Sequence, residues 1–176
     1  MREVYIFDID GCIMPPIFSD FDNNNSREKI VGDAIHNGNG IKLFPDFITY
    51  YKKYCINAES IFFITGRKRS EFGKLTNKHL LPLVNIKKFS VIYYPETKSH
   101  KIRKYFNWKA KKIKTIIKNT VIKKDFVISK KQKFTFNIFD DMNNYFSNII
   151  KFGDKQDIRM HLTLIKNNNS WIQLLQ

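Results

Sequence analysis

The chain has 176 residues, 43% of them hydrophobic and 15% aromatic, which is ample for one buried core and excludes a disordered polyelectrolyte. No apolar run is long enough to span a membrane, and Glu3, Asp8 and Asp10 stand where a signal peptide would carry no acids, so the expectation is a soluble, cytoplasmic protein with no membrane partner. The two cysteines, Cys12 and Cys55, are too few for a disulfide framework and lack metal-ligand spacing; both read as buried thiols in a reducing compartment.

In chain order, Val4–Phe7 is an apolar run that ends in Asp8-Ile9-Asp10-Gly11. A buried strand there delivers two carboxylates together to its end, and Gly11 lets the backbone turn away. Taken alone, Asp-x-Asp-Gly also suits a plain acidic turn. The stretch from Gly11 to Gly40 is rich in Asn, Asp and Gly and fits no regular element, so a lid-like loop insertion is expected at about 12–40. About thirty residues can form a lid but hardly a second folded domain. One domain over 1–176 is therefore expected, with a minimal cap or none.

Pro45 suits the first turn of a helix whose face is Phe47, Tyr50, Tyr51 and Tyr54. Ile61–Ile64 reads as a strand ending in Thr65-Gly66-Arg67, and Phe72, Leu75, His79 and Leu80 as the apolar face of the helix after it. Phe89–Tyr94 is a strand stopped by Pro95. A Lys-rich helix opens at Trp108-Lys109 and turns Ile113, Ile116, Ile117 and Val121 inward. Phe136–Phe139 is a strand ending in Asp140-Asp141, and Met142, Tyr145, Phe146, Ile149 and Ile150 mark a helix ended by Gly153. Met160–Ile165 gives a fifth strand, and Ser170–Leu174 a short terminal helix. The alternation predicts an α/β fold, a Rossmann-like three-layer sandwich around a five-stranded, mainly parallel sheet.

In such sheets the ligand crevice lies beyond the carboxyl ends of the strands, so the three polar strand ends should converge on one site. Neighbouring carboxylates repel unless a cation or shared proton intervenes, which makes them a metal site or a nucleophile beside a general acid. Hard oxygen ligands favour Mg²⁺ over zinc. His36, His79, His100 and His161 are scattered without ligand spacing, and His79 and His161 read as packing residues.

Asp8-x-Asp10-Gly11, then Thr65-Gly66-Arg67, a helix-start lysine and Asp140-Asp141, in that order, resemble the haloacid dehalogenase (HAD) superfamily of phosphohydrolases over roughly residues 3–165. Trp108-Lys109 and Phe139-Asp140-Asp141 are similar to polynucleotide-end and RNA-repair phosphatase domains of that superfamily. The resemblance implies that Asp8 is the nucleophile, forming an aspartyl-phosphate, and that Asp10 protonates the leaving group and then activates water. It implies catalytic roles for Thr65 and a lysine, substrate contacts from Gly11, Gly66 and Arg67, and a Mg²⁺ site of Asp8, Asp10, Asp140 and Asp141. Lys109 is chosen for the lysine, with Lys111 and Lys112 as alternatives. Arg67 serves either substrate phosphate or a surface ion pair. Cys12 departs from the family, where Thr is commoner. The insertion lies where the superfamily carries its cap, and a small one implies an open site for large substrates.

Lys and Arg number 31 against 16 Asp and Glu, a net charge of +15. Such a field attracts polyanions. An AT-rich genome would also enrich Lys, but it does not account for the scarcity of acids. Basic residues from Lys98 to Lys114 interleave with Tyr105, Phe106 and Trp108, and recur at Lys123, Lys124, Lys130, Lys131 and Lys133. Charge for a backbone with rings for stacking suits a single-strand binder. The reading is a Mg²⁺-dependent phosphatase removing a terminal phosphate from DNA or RNA. Its alternatives are a phosphatase of a small phosphometabolite, nucleotide or phosphoprotein, and a non-catalytic nucleic-acid-binding module. Retention of Asp10 favours the enzyme.

Overall fold

The structure, a computed structural model, describes residues 2–16, 42–97, 102–125 and 134–176. Outside the described residues lie most of the expected lid (17–40), His36, His100, Lys98, Lys101, Lys130, Lys131 and Lys133.

Five strands form one sheet: β1 (Arg2–Asp8), β2 (Ser60–Lys68), β3 (Ser90–Tyr94), β4 (Phe134–Asp140) and β5 (Arg159–Leu164). Their order is β3-β2-β1-β4-β5 and every pairing is parallel, giving the Rossmann-like α/β arrangement. β1 and β4 are central and lie between helices on both faces, so both read as nearly unbroken apolar runs. The chain builds outward from β1 through β2 to β3, then returns to place β4 on the other flank. The topological switch is therefore between β1 and β4, where the crevice of an open parallel sheet falls.

The helices are α1 (Pro45–Tyr50), continued by a π-helical turn over Tyr51–Cys55, α2 (Arg69–Val84), α3 (Ile102–Asp125), α4 (Phe146–Asp154) and α5 (Asn168–Leu175). Pro45 occupies the start of α1, as its fixed φ and missing N–H allow. The Asn167 side chain caps α5 by accepting from the Asn169 N–H at 2.9 Å.

Side-chain alternation along the strands divides the interior in two. Tyr5, Phe7, Phe63 and Phe139 join Phe47, Tyr51 and Trp171 on one face of the sheet. Val4, Ile6, Ile64, Phe136 and Ile138 join Tyr105, Trp108, Ile113, Ile117 and Ile149 on the other. Trp171 is fully buried, 5.0 Å from Phe47 and 5.2 Å from Phe139 between ring centroids, and its indole N–H donates to the Cys12 carbonyl at 2.8 Å. The terminal helix thereby fastens the turn that follows Asp10.

Three sequence expectations need correction. α3 starts at Ile102, so Lys109 stands about two turns inside the helix rather than at its opening. Tyr105 and Trp108 are buried against the sheet, stacked on each other at 5.9 Å, and offer no exposed platform for bases. His161 is exposed on edge strand β5 and does not pack in the core, whereas His79 is buried.

Candidate active site

Period-2 alternation aims the two key carboxylates. Asp8 follows Val4 and Ile6 on the face covered by α3, and Asp140 follows Phe136 and Ile138 on the same face. Phe7 pairs with Phe139, so Asp8 and Asp140 are the next residues of adjacent strands. On α3, Lys109 lies between Tyr105 and Ile113 at four-residue spacing, in a stripe that otherwise buries rings and aliphatics. Lys109 is 2% exposed; Lys111 and Lys112 are exposed and point away.

The Lys109 ammonium donates to Asp8 Oδ1 at 2.6 Å and pairs with Asp140 Oδ2. Burial opposes its charge, but Asp140 and Asp8 outweigh burial and hold Lys109 well above the ordinary lysine range. Breaking so buried a pair by deleting one member costs about 3–5 kcal/mol, because the other charge is left uncompensated. Two tyrosines complete the cluster. Tyr145 donates to Asp140 Oδ2, and the Tyr105 hydroxyl lies 3.5 Å from Asp8 Oδ1. The Met142 N–H donates to Asp140 Oδ1 at 3.0 Å.

Asp8, Asp140 and Asp141 each bring a carboxylate oxygen within 4.8 Å of the others. Burial raises the Asp8 carboxyl well above its ordinary range, against the pull of Lys109 and with Asp140 and Asp141 adding to the rise. Asp141 is pushed up to about 7, first by burial and then by the Asp140 charge. One ammonium thus faces three carboxylates, and the remaining negative charge is what a hard divalent cation relieves. The backbone makes room for this grouping at Gly11, whose φ of +78° suits glycine; a Cβ there would fall 2.5 Å from Asp141 Oδ2. Three oxygen donors, with no sulfur or imidazole among them, fit a hard divalent cation.

Asp10 stands apart from this group. Its carboxylate is gripped by Arg67, with Arg67 Nη2 2.6 Å from Oδ1 and Nε 2.9 Å from Oδ2, so the structure does not gather Asp10 with the other three expected metal ligands. Arg67 is itself 2% exposed, neither a surface ion pair nor free to reach a substrate phosphate. Thr65 is fully buried and its Oγ1 accepts the Arg67 backbone N–H at 3.1 Å. Gly66 lies beneath the Tyr105 ring, where a Cβ would approach Cε2 to 3.3 Å. Cys12 is buried, and burial pushes its thiol well above the ordinary range, which leaves it neutral and inert.

Neither Tyr145 nor Tyr105 is legible in the sequence as a residue of this site. Tyr145 shows in the sequence only as an aromatic on a helical face, and Tyr105 only as a stacking ring in the basic stretch. A phenol facing the residue after a strand's last apolar position was the available signal.

The HAD domain of the effector protein Lem4 from Legionella pneumophila has a similar structure: the TM-score is 0.53 at 13% identity, over 99% of this chain and 92% of that one. The chain has a HAD-like fold. A Pnkp1/Rnl/Hen1 complex structure also aligns, with a TM-score of 0.48 at 11% identity, over 95% of this chain and 47% of that one. No family model matches the sequence, and no curated protein matches it. In this HAD-like chain the acidic group lies beyond the carboxyl ends of β1 and β4, at the switch point of the sheet.

Proposed function

We propose that the chain is a Mg²⁺-dependent phosphomonoester hydrolase that works through an aspartyl-phosphate on Asp8. The observation that carries this reading is the Lys109 ammonium held between Asp8 and Asp140, with Asp141 beside them. A buried lysine and three clustered carboxylates are costly for a fold to keep, and together they suit a dianionic phosphate. Asp8, Asp140 and Asp141 would hold the ion, which supplies charge neutralisation for the phosphoryl oxygens.

Asp8 Oδ attacks phosphorus, and Lys109 draws charge from the equatorial oxygens. Thr65 donates its hydroxyl proton to a phosphoryl oxygen while accepting from the Arg67 N–H. Asp10 gives a proton to the leaving oxygen. It then takes one from the water that attacks the intermediate and releases Asp8.

For the substrate, the support is charge. α3 turns Lys109 into the site and carries Arg103, Lys104, Lys111, Lys112 and Lys118 exposed along its outer side. A phosphorylated end of DNA or RNA fits a site flanked by such a helix. Burial of Tyr105 and Trp108 leaves only the half-buried Phe106 of the three rings, which weakens the stacking half of that argument and favours a second reading, a small phosphoester. The test is turnover of phosphorylated oligonucleotides and p-nitrophenyl phosphate with Mg²⁺: the wild type should hydrolyse phosphomonoesters and Asp8→Asn should not. Absence of turnover on every phosphomonoester tried would overturn the reading.

A further inference from the structure

Arg67 is a buried guanidinium in which every N–H is placed. Nε and Nη2 form a fork on the two oxygens of Asp10, at 2.9 and 2.6 Å. Nη1 donates to Thr76 Oγ1 at 3.0 Å and faces His79 Nδ1 at 3.4 Å, while Nη2 also reaches Met14 Sδ at 3.4 Å. Guanidinium has five N–H donors and these partners use all five. Arginine always donates, so His79 Nδ1 accepts, and that imidazole is neutral. Thr76 and His79 lie on α2 and are buried, so the fork is anchored on the helix that leaves β2.

The fork's target is the less buried partner. The Asp10 side chain is 23% exposed and the Arg67 side chain 1%. Asp10 follows the end of β1, where no ladder fixes its side chain beyond a single bridge with Met14. Without the fork, the Asp10 carboxylate would be free to turn among several orientations. Two parallel N–H···O bonds fix both the plane and the direction of a carboxylate, which a lysine cannot do.

We propose that Arg67 is a positioning residue: it holds the Asp10 carboxylate out of the metal group, in one orientation, for its proton transfers. The inference rests on the phosphohydrolase reading. The step most exposed to it is breakdown of the aspartyl-phosphate. Water attacks phosphorus, Asp10 takes the water proton, and the P–O bond to Asp8 breaks with its electron pair returning to the Asp8 carboxylate. Inorganic phosphate leaves, and the proton on Asp10 goes to the leaving oxygen of the next substrate. With p-nitrophenyl phosphate the leaving oxygen needs no proton, so the first half of the cycle is insensitive to Asp10 and the second half is not.

Stopped-flow hydrolysis of p-nitrophenyl phosphate with Mg²⁺ separates the halves. Arg67→Lys should keep a burst of p-nitrophenolate close to one per enzyme, followed by a steady state slowed about 10²-fold. Asp10→Asn should behave alike, and the double variant should be little slower than either single one. Thr76→Val loses one anchor of the guanidinium and little volume; it should show the same pattern with a several-fold slowing, and it covers the case in which Arg67→Lys fails to fold. Equal losses in burst and steady state, or losses from Arg67→Lys and Asp10→Asn that multiply, would overturn the positioning role while the phosphohydrolase reading stands. A wild type inactive on all phosphomonoesters would sink that reading and the inference with it.

Discussion

Gly11 and Asp141 are in such close contact that a side chain on Gly11 would push the Asp141 carboxylate aside: a Cβ on Gly11 would lie 2.5 Å from Asp141 Oδ2 and 2.8 Å from its Cγ. The positive φ of Gly11 and the crowding point the same way, since both disfavour any other residue beside the acidic group. Gly11→Ala should displace Asp141 and add backbone strain of about 1 kcal/mol or more. The expected result is a protein that folds but needs at least tenfold more Mg²⁺ for half-maximal turnover. Unchanged Mg²⁺ dependence would show that Asp141 is not used for the ion.

Three carboxylates against one ammonium make the acidic group a liability to the metal-free fold and a gain to the loaded one. Binding to the folded state alone adds about 2.7 kcal/mol of stability at a hundred times the dissociation constant, which for a chain of this length raises Tm by about 5–10 °C. Thermal unfolding with and without Mg²⁺ should show this rise, and Asp140→Asn and Asp141→Asn should each reduce it sharply. An identical Tm in EDTA and in Mg²⁺ would contradict a metal site here.

His79 supplies a pH dependence with a definite sign. Burial, then the neighbouring Arg67, lowers its imidazole from 6.5 to about 4. Between those values the unfolded chain takes up a proton that the folded chain refuses. The stability tied to neutral His79 is therefore complete above pH 6.5 and is lost progressively down to about pH 4. The free energy of unfolding should drop, on going from pH 6.5 to pH 4, by on the order of 2–3 kcal/mol more in the wild type than in His79→Gln. Parallel pH profiles would mean that His79 does not stay neutral in the fold.

Most of the architecture was legible because the physics behind it is local. β1 and β4 announced themselves as apolar runs ending in acids, and a parallel sheet with its switch point between them brings those acids together. Contacts fixed by register were not legible. Asp8 pairs with Ile64, so the chain beyond Asp8 runs beside Thr65 and Gly66, and this is what lets Arg67 close on Asp10 across 57 positions. No motif encodes that register, and Arg67 read as a substrate or surface residue. Tyr105 and Trp108 misled for a different reason: lysines on the solvent side of α3 hid the four-residue stripe of Tyr105, Lys109 and Ile113, so buried rings passed for exposed ones. His161 failed because β5 is an edge strand with one outer side left open.

The basic outer side of α3 separates the two substrate readings. If it guides a nucleic-acid end, kcat/KM should be higher for a phosphorylated oligonucleotide than for p-nitrophenyl phosphate at low salt, and should fall steeply as salt rises, because backbone contacts release counterions. Exchanging Arg103, Lys104, Lys111 and Lys118 together for Gln should cut oligonucleotide turnover at least tenfold, flatten its salt dependence and spare the small substrate. Equal rates for both substrates at low salt would favour the small phosphoester.

The central claim is that Asp8 becomes covalently phosphorylated, and the most direct measurement is to trap that species. Acid quenching during turnover, followed by peptide mass analysis, should find a hydroxylamine-labile phosphoryl group on the Asp8 peptide, lost in Asp8→Asn and enriched in Asp10→Asn, where breakdown is slowed. Turnover with no phosphoryl group on Asp8 in either the wild type or Asp10→Asn would contradict the account.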